Sequence, residues 1–455
     1  MTSEPARWLW ALSAVAAWLA LVGAVAWRQR RAKAQARRDA EALAGGEAPV
    51  LVAFASQTGF AEDLAWMSAK ALAAGGIGAR VLSFADLDAA ALAGAGRALL
   101  VVSTTGEGDP PDAAARFVRR AMAAPAALEG LRFGVLALGD RSYDQFCGFG
   151  RAVEGWLRRS GAEPLFDTVE VDDGDAAAIR HWQHQLGLIA GVAAPDWSPP
   201  AYDAWRLVER RLLNPGSPGG EVWKLAFEPD GPLPDWSAGD IVEIGAPDPG
   251  GDGAPAAREY SVASLPADGR VELAVRLMRR PDGTPGLASG WLTGVCPLGG
   301  EVKMRLRANR AFHGPPAETP MILIGNGTGV AGLRAHLKAR AAAAAHGGAW
   351  LMFGERTRAH DALFDDELQA WRTSGVLSRL DRAFSRDTGD GRYVQALVAE
   401  QTEAVRAWVA RGAVVYVCGA QAGMAPGVHA ALEQALGADT VIEMRESGRY
   451  RRDVY

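Results

Sequence analysis

Short apolar runs at residues 50–55, 98–102 and 133–138, with helical stretches between them, constrain this chain more than any other feature. Such alternation means a parallel sheet with helices packed on both faces. The rhythm stops near Gly191, where Pro195, Pro199 and Pro200 make a stiff hinge. Beyond it the chain breaks into short extended segments punctuated by Gly and Pro, at 221–227, 240–244 and 271–278. That pattern predicts a small antiparallel barrel. From Pro320 the α/β rhythm returns and runs to the end. The expected fold class is α/β plus β-barrel. A doubly wound unit covers residues 49–191, a hinge 192–204, a barrel 205–315 and a second α/β unit 316–455.

Composition sets limits around this plan. A chain of 455 residues fits about three domains, and 49% hydrophobic content can fill their cores. A net charge of −5 gives no reason to expect a nucleic-acid partner. Cys147, Cys296 and Cys418 are too few and too odd for a disulfide framework and suit a reducing compartment. No Cys or His grouping has metal-ligand spacing, so no metal site is expected.

The amino terminus differs in kind. Residues 8–27 form an uncharged, mostly apolar run that as a helix would rise about 30 Å, the thickness of a bilayer core. Trp8, Trp10 and Trp27 lie at its ends, where interfacial indoles belong. Arg28, Arg30, Arg31, Lys33, Arg37 and Arg38 follow it, against Arg7 alone before it. The asymmetry predicts a transmembrane anchor over residues 1–27, a basic tether over 28–48, and catalytic domains on the cytoplasmic side of an inner membrane. A cleaved signal peptide is the alternative. The length of the run and the dense positive charge after it argue against that.

Three loops of the first α/β unit carry its chemistry. Strand 50–55 leads into Ser56, Gln57, Thr58, Gly59, Phe60 and Ala61, and a helix follows. Hydroxyls and a glycine at a helix N-terminus cradle an anion. Ser103, Thr104, Thr105 and Gly106 follow the next strand, and Leu138, Gly139, Asp140 and Tyr143 the one after. All lie at carboxyl ends of strands, where open α/β sheets bind ligands. These two loops could flank a planar ring, with Tyr143 stacked on it or simply half-buried at the surface. In content and order the three loops, with Pro110, Pro111, Asp112, Phe146 and Cys147, resemble the flavodoxin-like FMN domain of diflavin reductases. The resemblance implies FMN at residues 56–61, 103–106 and 138–140 and at Tyr143 and Phe146. Thr105 stands where cytochrome-P450 reductases usually carry an aromatic, and is more like the sulfite reductase flavoprotein pattern.

In the barrel region, Arg258, Tyr260 and Ser261 share an extended segment. Alternation turns Arg258 and Tyr260 to one side and Ser261 to the other. This resembles the Arg-x-Tyr-Ser motif of the ferredoxin-reductase family. Gly286, Leu287, Ala288 and Ser289 resemble that family's second FAD loop, where small residues let backbone approach a pyrophosphate. The helical connecting insert of the larger diflavin reductases is missing or minimal, because only about a dozen residues separate Ile244 from Arg258.

In the last unit, strand 321–324 opens through Gly327, Thr328 and Gly329 into a helix, a turn suited to a pyrophosphate. Residues 353–356 and 415–419 resemble the nicotinamide domain of the same family. Ser385 and Arg386 suit a 2′-phosphate, and Tyr393, near Gln395, can stack on adenine, which predicts NADPH. Gly391 replaces the lysine often found there, and Arg392 is one place on. Ser261, Cys418 and Asp453 match the family residues around hydride transfer, although Cys418 could be a plain buried thiol. The resemblance places the final Tyr455 on the flavin ring, to be moved before nicotinamide can stack.

The resemblance implies an NADPH-dependent reductase with FAD and FMN and a one-electron protein acceptor, either a haem protein or a sulfite reductase subunit. A ferric chelate at the membrane is an alternative substrate. A non-catalytic, membrane-tethered redox sensor is the alternative of another class.

Overall fold

The computed structural model describes residues 49–455 apart from 142, 192–196, 198–201, 248–255, 281, 344, 345, 388 and 390. The apolar run at 8–27 and the basic tether lie outside the described residues, as does nearly all of the Pro-rich hinge. No described helix is long and apolar enough to cross a membrane.

The first unit is a parallel sheet of β1 (Val50–Ala55), β2 (Ala79–Ser83), β3 (Arg97–Ser103), β4 (Arg132–Gly139), β5 (Glu163–Pro164) and β6 (Val169–Asp172). The order is β2-β1-β3-β4-β5, with β6 also paired to β4. Val52, Leu99, Val101 and Leu136 face one helical layer, and Leu51, Leu100, Val102 and Val135 face the other. Burial of both faces is the reason these strands carry unbroken apolar runs.

The second unit is antiparallel throughout: β7 (Asp203–Leu212), β8 (Val222–Pro229), β9 (Ile241–Ala246), β10 (Ala256–Ser261), β11 (Val271–Arg276) and β12 (Glu301–Arg307). Its order is β10-β9-β12-β7-β8-β11. The ends curl together until the Ala263 N–H donates to the Glu272 carbonyl at 2.8 Å, nearly closing the barrel. Trp205, Leu207, Phe227, Val242, Ile244 and Leu273 fill it. Ala246 pairs with Ala256, so β9 and β10 are a hairpin joined through residues 247–255. The link is too short for a helical domain, as the sequence predicts.

The third unit is a five-stranded parallel sheet, β15-β14-β13-β16-β17. Its strands are β13 (Met321–Asn326), β14 (Ala349–Glu355), β15 (Leu377–Phe384), β16 (Val414–Gly419) and β17 (Tyr450–Val454). The helix Val330–Ala341 follows β13 and fastens this sheet to the barrel. Its buried Arg334 donates to Glu272 at 2.7 Å and to the Ala263 carbonyl at 2.8 Å, both in the barrel, and to Glu367 at 2.7 Å. Lys224 lies 2.9 Å from Glu272 on the other side. Arg270 lies 3.0 Å from the same carboxylate, and against burial these cations hold the Glu272 carboxyl down to about 2. Removing one partner of such a buried network costs about 3–5 kcal/mol, because the remaining charge is left without compensation.

Candidate functional site

A cavity of about 830 Å³ opens between the barrel and the third sheet, in the range that holds cofactor-sized ligands. Glu259, Tyr260, Ser261 and Met278 line its barrel side, and Asn326, Gly327 and Thr328 its floor. Ser385, Arg386, Tyr393 and Gln395 line its far end. Tyr455 stands over the middle, half-exposed, with its hydroxyl 3.5 Å from Thr328 Oγ1.

The wall beside Tyr455 is built by strand register. β16 and β17 run parallel with Cys418 opposite Asp453. Ser261, at the end of β10, donates from Oγ to Asp453 Oδ2 at 2.7 Å, and Cys418 Sγ approaches the same oxygen at 3.7 Å. All three are buried. Burial raises the Asp453 carboxyl to about 6, with the Glu259 charge adding to the rise and the Ser261 and Cys418 bonds opposing it. Burial and the Asp453 charge hold the Cys418 thiol well above its ordinary value, so it is a neutral donor and no nucleophile. Behind it, a Cβ added to Gly329 would lie 2.1 Å from the Cys418 carbonyl oxygen, so only glycine lets the helix start pack this close.

The second candidate site lies at the carboxyl ends of β1, β3 and β4. Helix Phe60–Ala74 begins at Gly59, whose φ of 91° is left-handed. A Cβ there would also meet the Ala308 carbonyl at 2.8 Å, so the turn needs glycine twice over. Ser56 Oγ accepts the Gly59 N–H at 2.9 Å. Thr105 and Asp109 exchange backbone hydrogen bonds of 2.8 and 2.9 Å across Gly106 and Gly108, both with positive φ. The hydroxyls of Thr104 and Thr105 are buried with no protein partner. A planar heterocycle with polar edges would satisfy them, whereas an empty apolar slot would not. Tyr143 is half-buried, and its hydroxyl donates to Gln421 at 3.1 Å.

The residues picked from sequence therefore fall into two clusters, with some exceptions. Arg258 is exposed, lies 3.8 Å from Asp173, and does not line the cavity that Tyr260 lines. Arg392 pairs with Glu400 at 2.7 Å and does not line the cavity either. Ser289 is buried, with Oγ accepting the Met278 N–H at 3.1 Å, so its loop abuts the cavity edge. Phe146 is covered by Arg141 and Arg151, and Gln57 spends its amide on Asp112 and the Arg452 carbonyl.

Three further residues belong here. Arg356 lines the cavity, and its carbonyl accepts the Arg386 N–H at 2.8 Å. Its place after Phe353, Gly354 and Glu355 was a usable signal. Arg307, which donates to the Thr58 carbonyl at 3.0 Å, and Gln421 carried none.

A flavodoxin family model matches residues 52–182, and an oxidoreductase NAD-binding domain model matches residues 323–430. With a flavodoxin match ahead of the barrel and a NAD-binding match after it, the chain has the domain order of the diflavin reductases and is similar to them. One relative is the sulfite reductase [NADPH] flavoprotein alpha-component of Neisseria meningitidis serogroup C, 29% identical over 543 aligned residues, covering 89% of each chain. Another is that of Vibrio parahaemolyticus, 28% identical over 555, covering 93% of this chain and 88% of the relative. Both alignments are longer than this chain's 455 residues, so the relatives carry segments that it lacks. Diflavin reductases use FMN, FAD and a nicotinamide nucleotide, and the residues here fit all three. The slot with the two orphaned threonine hydroxyls suits FMN, and the cavity between barrel and third sheet suits FAD meeting nicotinamide.

If nicotinamide binds beside this wall, a carboxylate at Asp453 would favour the positive charge that grows on the ring as hydride leaves. Protonation removes that help, so the rate should fall as pH drops through about 6, the value at which Asp453 takes up its proton. With ferricyanide as acceptor, Asp453→Asn should lose that inflection and cut kcat by about 10²–10³, as the removal of one preorganised electrostatic group does. A variant whose pH profile keeps the inflection would assign it to another group.

The lining set also makes a claim about cofactor choice. Arg386→Ala should lower kcat/KM for NADPH by about 5–150-fold, the loss of about 1–3 kcal/mol of charge-assisted bonding, and leave NADH nearly unchanged. Equal losses with both nucleotides would take Arg386 away from the 2′-phosphate.

Proposed function

We propose that this chain moves electrons from NADPH through FAD to FMN and then to a one-electron protein acceptor of the haem or sulfite reductase type. The observation that carries the reading is Ser261 on the cavity wall, bonded to Asp453 with Cys418 buried behind it, in the same cavity that Ser385, Arg386 and Tyr393 line. Bound cofactors supply hydride acceptance and one-electron release. The protein supplies placement. Ser385 and Arg386 take the 2′-phosphate, Tyr393 covers adenine, and the turn at Gly327 and Thr328 receives pyrophosphate. Asp453 stabilises charge on nicotinamide once Tyr455 has yielded its place.

A protein acceptor is supported by the name the relatives carry, which joins them to sulfite reductase. Nine acids against four arginines between Asp140 and Asp175 would steer a basic acceptor surface. Glu170 with Arg151 and Glu154 with Arg158 pair within this stretch, leaving the remaining acids to carry the steering charge. The run at 8–27 with its basic flank supports a tether that keeps the catalytic units on the cytoplasmic face. It favours an acceptor at that membrane, either a haem protein or a ferric chelate.

Electron order is tested by separating the two acceptors. Thr58→Asp puts a negative charge in the phosphate cradle and should abolish cytochrome c reduction while ferricyanide reduction from FAD largely survives. Loss of both activities in a folded protein would overturn the order.

The tether is tested by removing residues 1–40. The full chain should pellet with membranes and resist salt extraction, and the shortened chain should stay in the supernatant with both flavins. A full chain that remains in the supernatant would remove the membrane from the reading.

A further inference from the structure

The flavodoxin unit rests on the last strand of the third sheet, and it does so next to the hydride site. Asp112, at the first turn after the FMN loop, receives a bidentate bond from Arg452, at 2.5 Å to Oδ1 and 3.2 Å to Oδ2. Arg445 adds a contact of 2.9 Å to the same carboxylate. Gln57 bridges from behind, its Oε1 accepting the Asp112 N–H at 3.3 Å and its Nε2 donating to the Arg452 carbonyl at 2.7 Å. The side chains of Asp112 and Arg452 are only 12% and 15% exposed. Burial works against the Arg452 charge, and Asp112 overcomes it. Arg452 immediately precedes Asp453 in β17, so alternation turns one toward the flavodoxin unit and the other toward Ser261 and Cys418.

A second connection reaches the same strand from its far end. The Tyr455 N–H donates to the Gly419 carbonyl at 3.1 Å, and the Tyr455 carbonyl accepts the Gln421 N–H at 3.0 Å. The side chain of Gln421 is held by the Tyr143 hydroxyl and packs against Gly106, both in FMN loops. The chain's final residues are thus gripped before Asp453 through Arg452 and after it through Gln421, and both grips come from the flavodoxin unit.

We propose that docking of the flavodoxin unit positions Tyr455, so that the nicotinamide gate is held while the unit is docked and loosened when it swings away. Asp112, Arg452 and Gln421 are positioning residues in this device. The proposal rests on the reading of Tyr455 as the group that nicotinamide must displace. It gives the enzyme a way to tie nucleotide exchange to the position of the electron-exporting unit.

The test uses NADH with ferricyanide as acceptor. NADH lacks the 2′-phosphate and depends most on the nicotinamide stack, and ferricyanide draws electrons without needing a docked flavodoxin unit. In the full chain, with both flavins measured, Tyr455→Ala should raise kcat/KM for NADH, and Asp112→Ala should raise it at least threefold. Adding Asp112→Ala to Tyr455→Ala should change nothing further, because the gate through which it acts is gone. Asp112→Asn, which keeps the shape and loses the charge, should shift NADH use the same way by less, and it stands in if the alanine variant loses flavin. Gln421→Ala should follow the same pattern. The proposal is overturned if Asp112→Ala and Asp112→Asn leave NADH use within 1.5-fold, whatever happens to cytochrome c reduction. It is overturned too if the Asp112 and Tyr455 effects multiply. An unchanged Tyr455→Ala with FAD retained would instead remove the gate reading itself.

Discussion

The hydrogen bond from Ser261 to Asp453 joins two residues 192 positions apart, and the functional geometry depends on it. It forms only if the barrel presents the end of β10 to the carboxyl end of the third sheet, and only if β17 pairs with β16 in the register that sets Asp453 beside Cys418. A slip of one residue would turn Asp453 to the flavodoxin side and Arg452 into the hydride site. Asp453 being buried beside a single hydroxyl and a thiol also explains its raised proton affinity: there is too little solvation there to hold a full charge easily.

The two interfaces around that bond are built differently. Barrel and third sheet are fused by the buried charges of Glu272, Lys224 and Arg334, by Glu367, and by the ion pair of Arg276 with Glu355 at 2.7 Å. Breaking such buried pairs is expensive, so the barrel and the third sheet are held firmly to one another. The flavodoxin unit is held partly by exposed pairs at its rim. Arg119 pairs with Glu446, and Arg310 with Glu62, with arginine side chains 47% and 66% exposed. Exposed pairs contribute about 0–1 kcal/mol each. The contacts around Asp112 are the more buried part of that interface. A firmly joined pair of units beside a third unit whose contacts are partly exposed suits the proposed transfer from a nucleotide site to a separate protein partner.

Much of this was legible in the sequence because the signals are local. The strand 50–55 was read to the residue, since an apolar run ending in Ser56 and Gly59 can only stop where the turn begins. Residues 98–102 and 133–138 were read one residue short at each end, because Arg97, Ser103, Arg132 and Gly139 pair in the sheet without being apolar. The 271–278 segment was read too long, as Leu277 and Met278 leave the strand and Met278 lines the cavity. Arg258 lies near enough to Tyr260 to act on its hydroxyl, as alternation placed it, but its guanidinium is exposed near Asp173, a partner from another unit that periodicity cannot name.

By itself the sequence determined which segments are strands, where the glycine and hydroxyl turns fall, and which residue types stand at each ligand-binding loop. These follow from side-chain burial and backbone freedom within about ten residues of chain. Tertiary structure alone decided that Asp112 grips Arg452, that Gln421 reaches Tyr143, and that Arg307 reaches the Thr58 carbonyl. Each contact spans more than 200 residues, and none of the partners carries a local pattern. A long-range ion pair or amide contact is specified by the packing of whole units, and that packing is a sum over many surfaces that no short stretch of sequence contains.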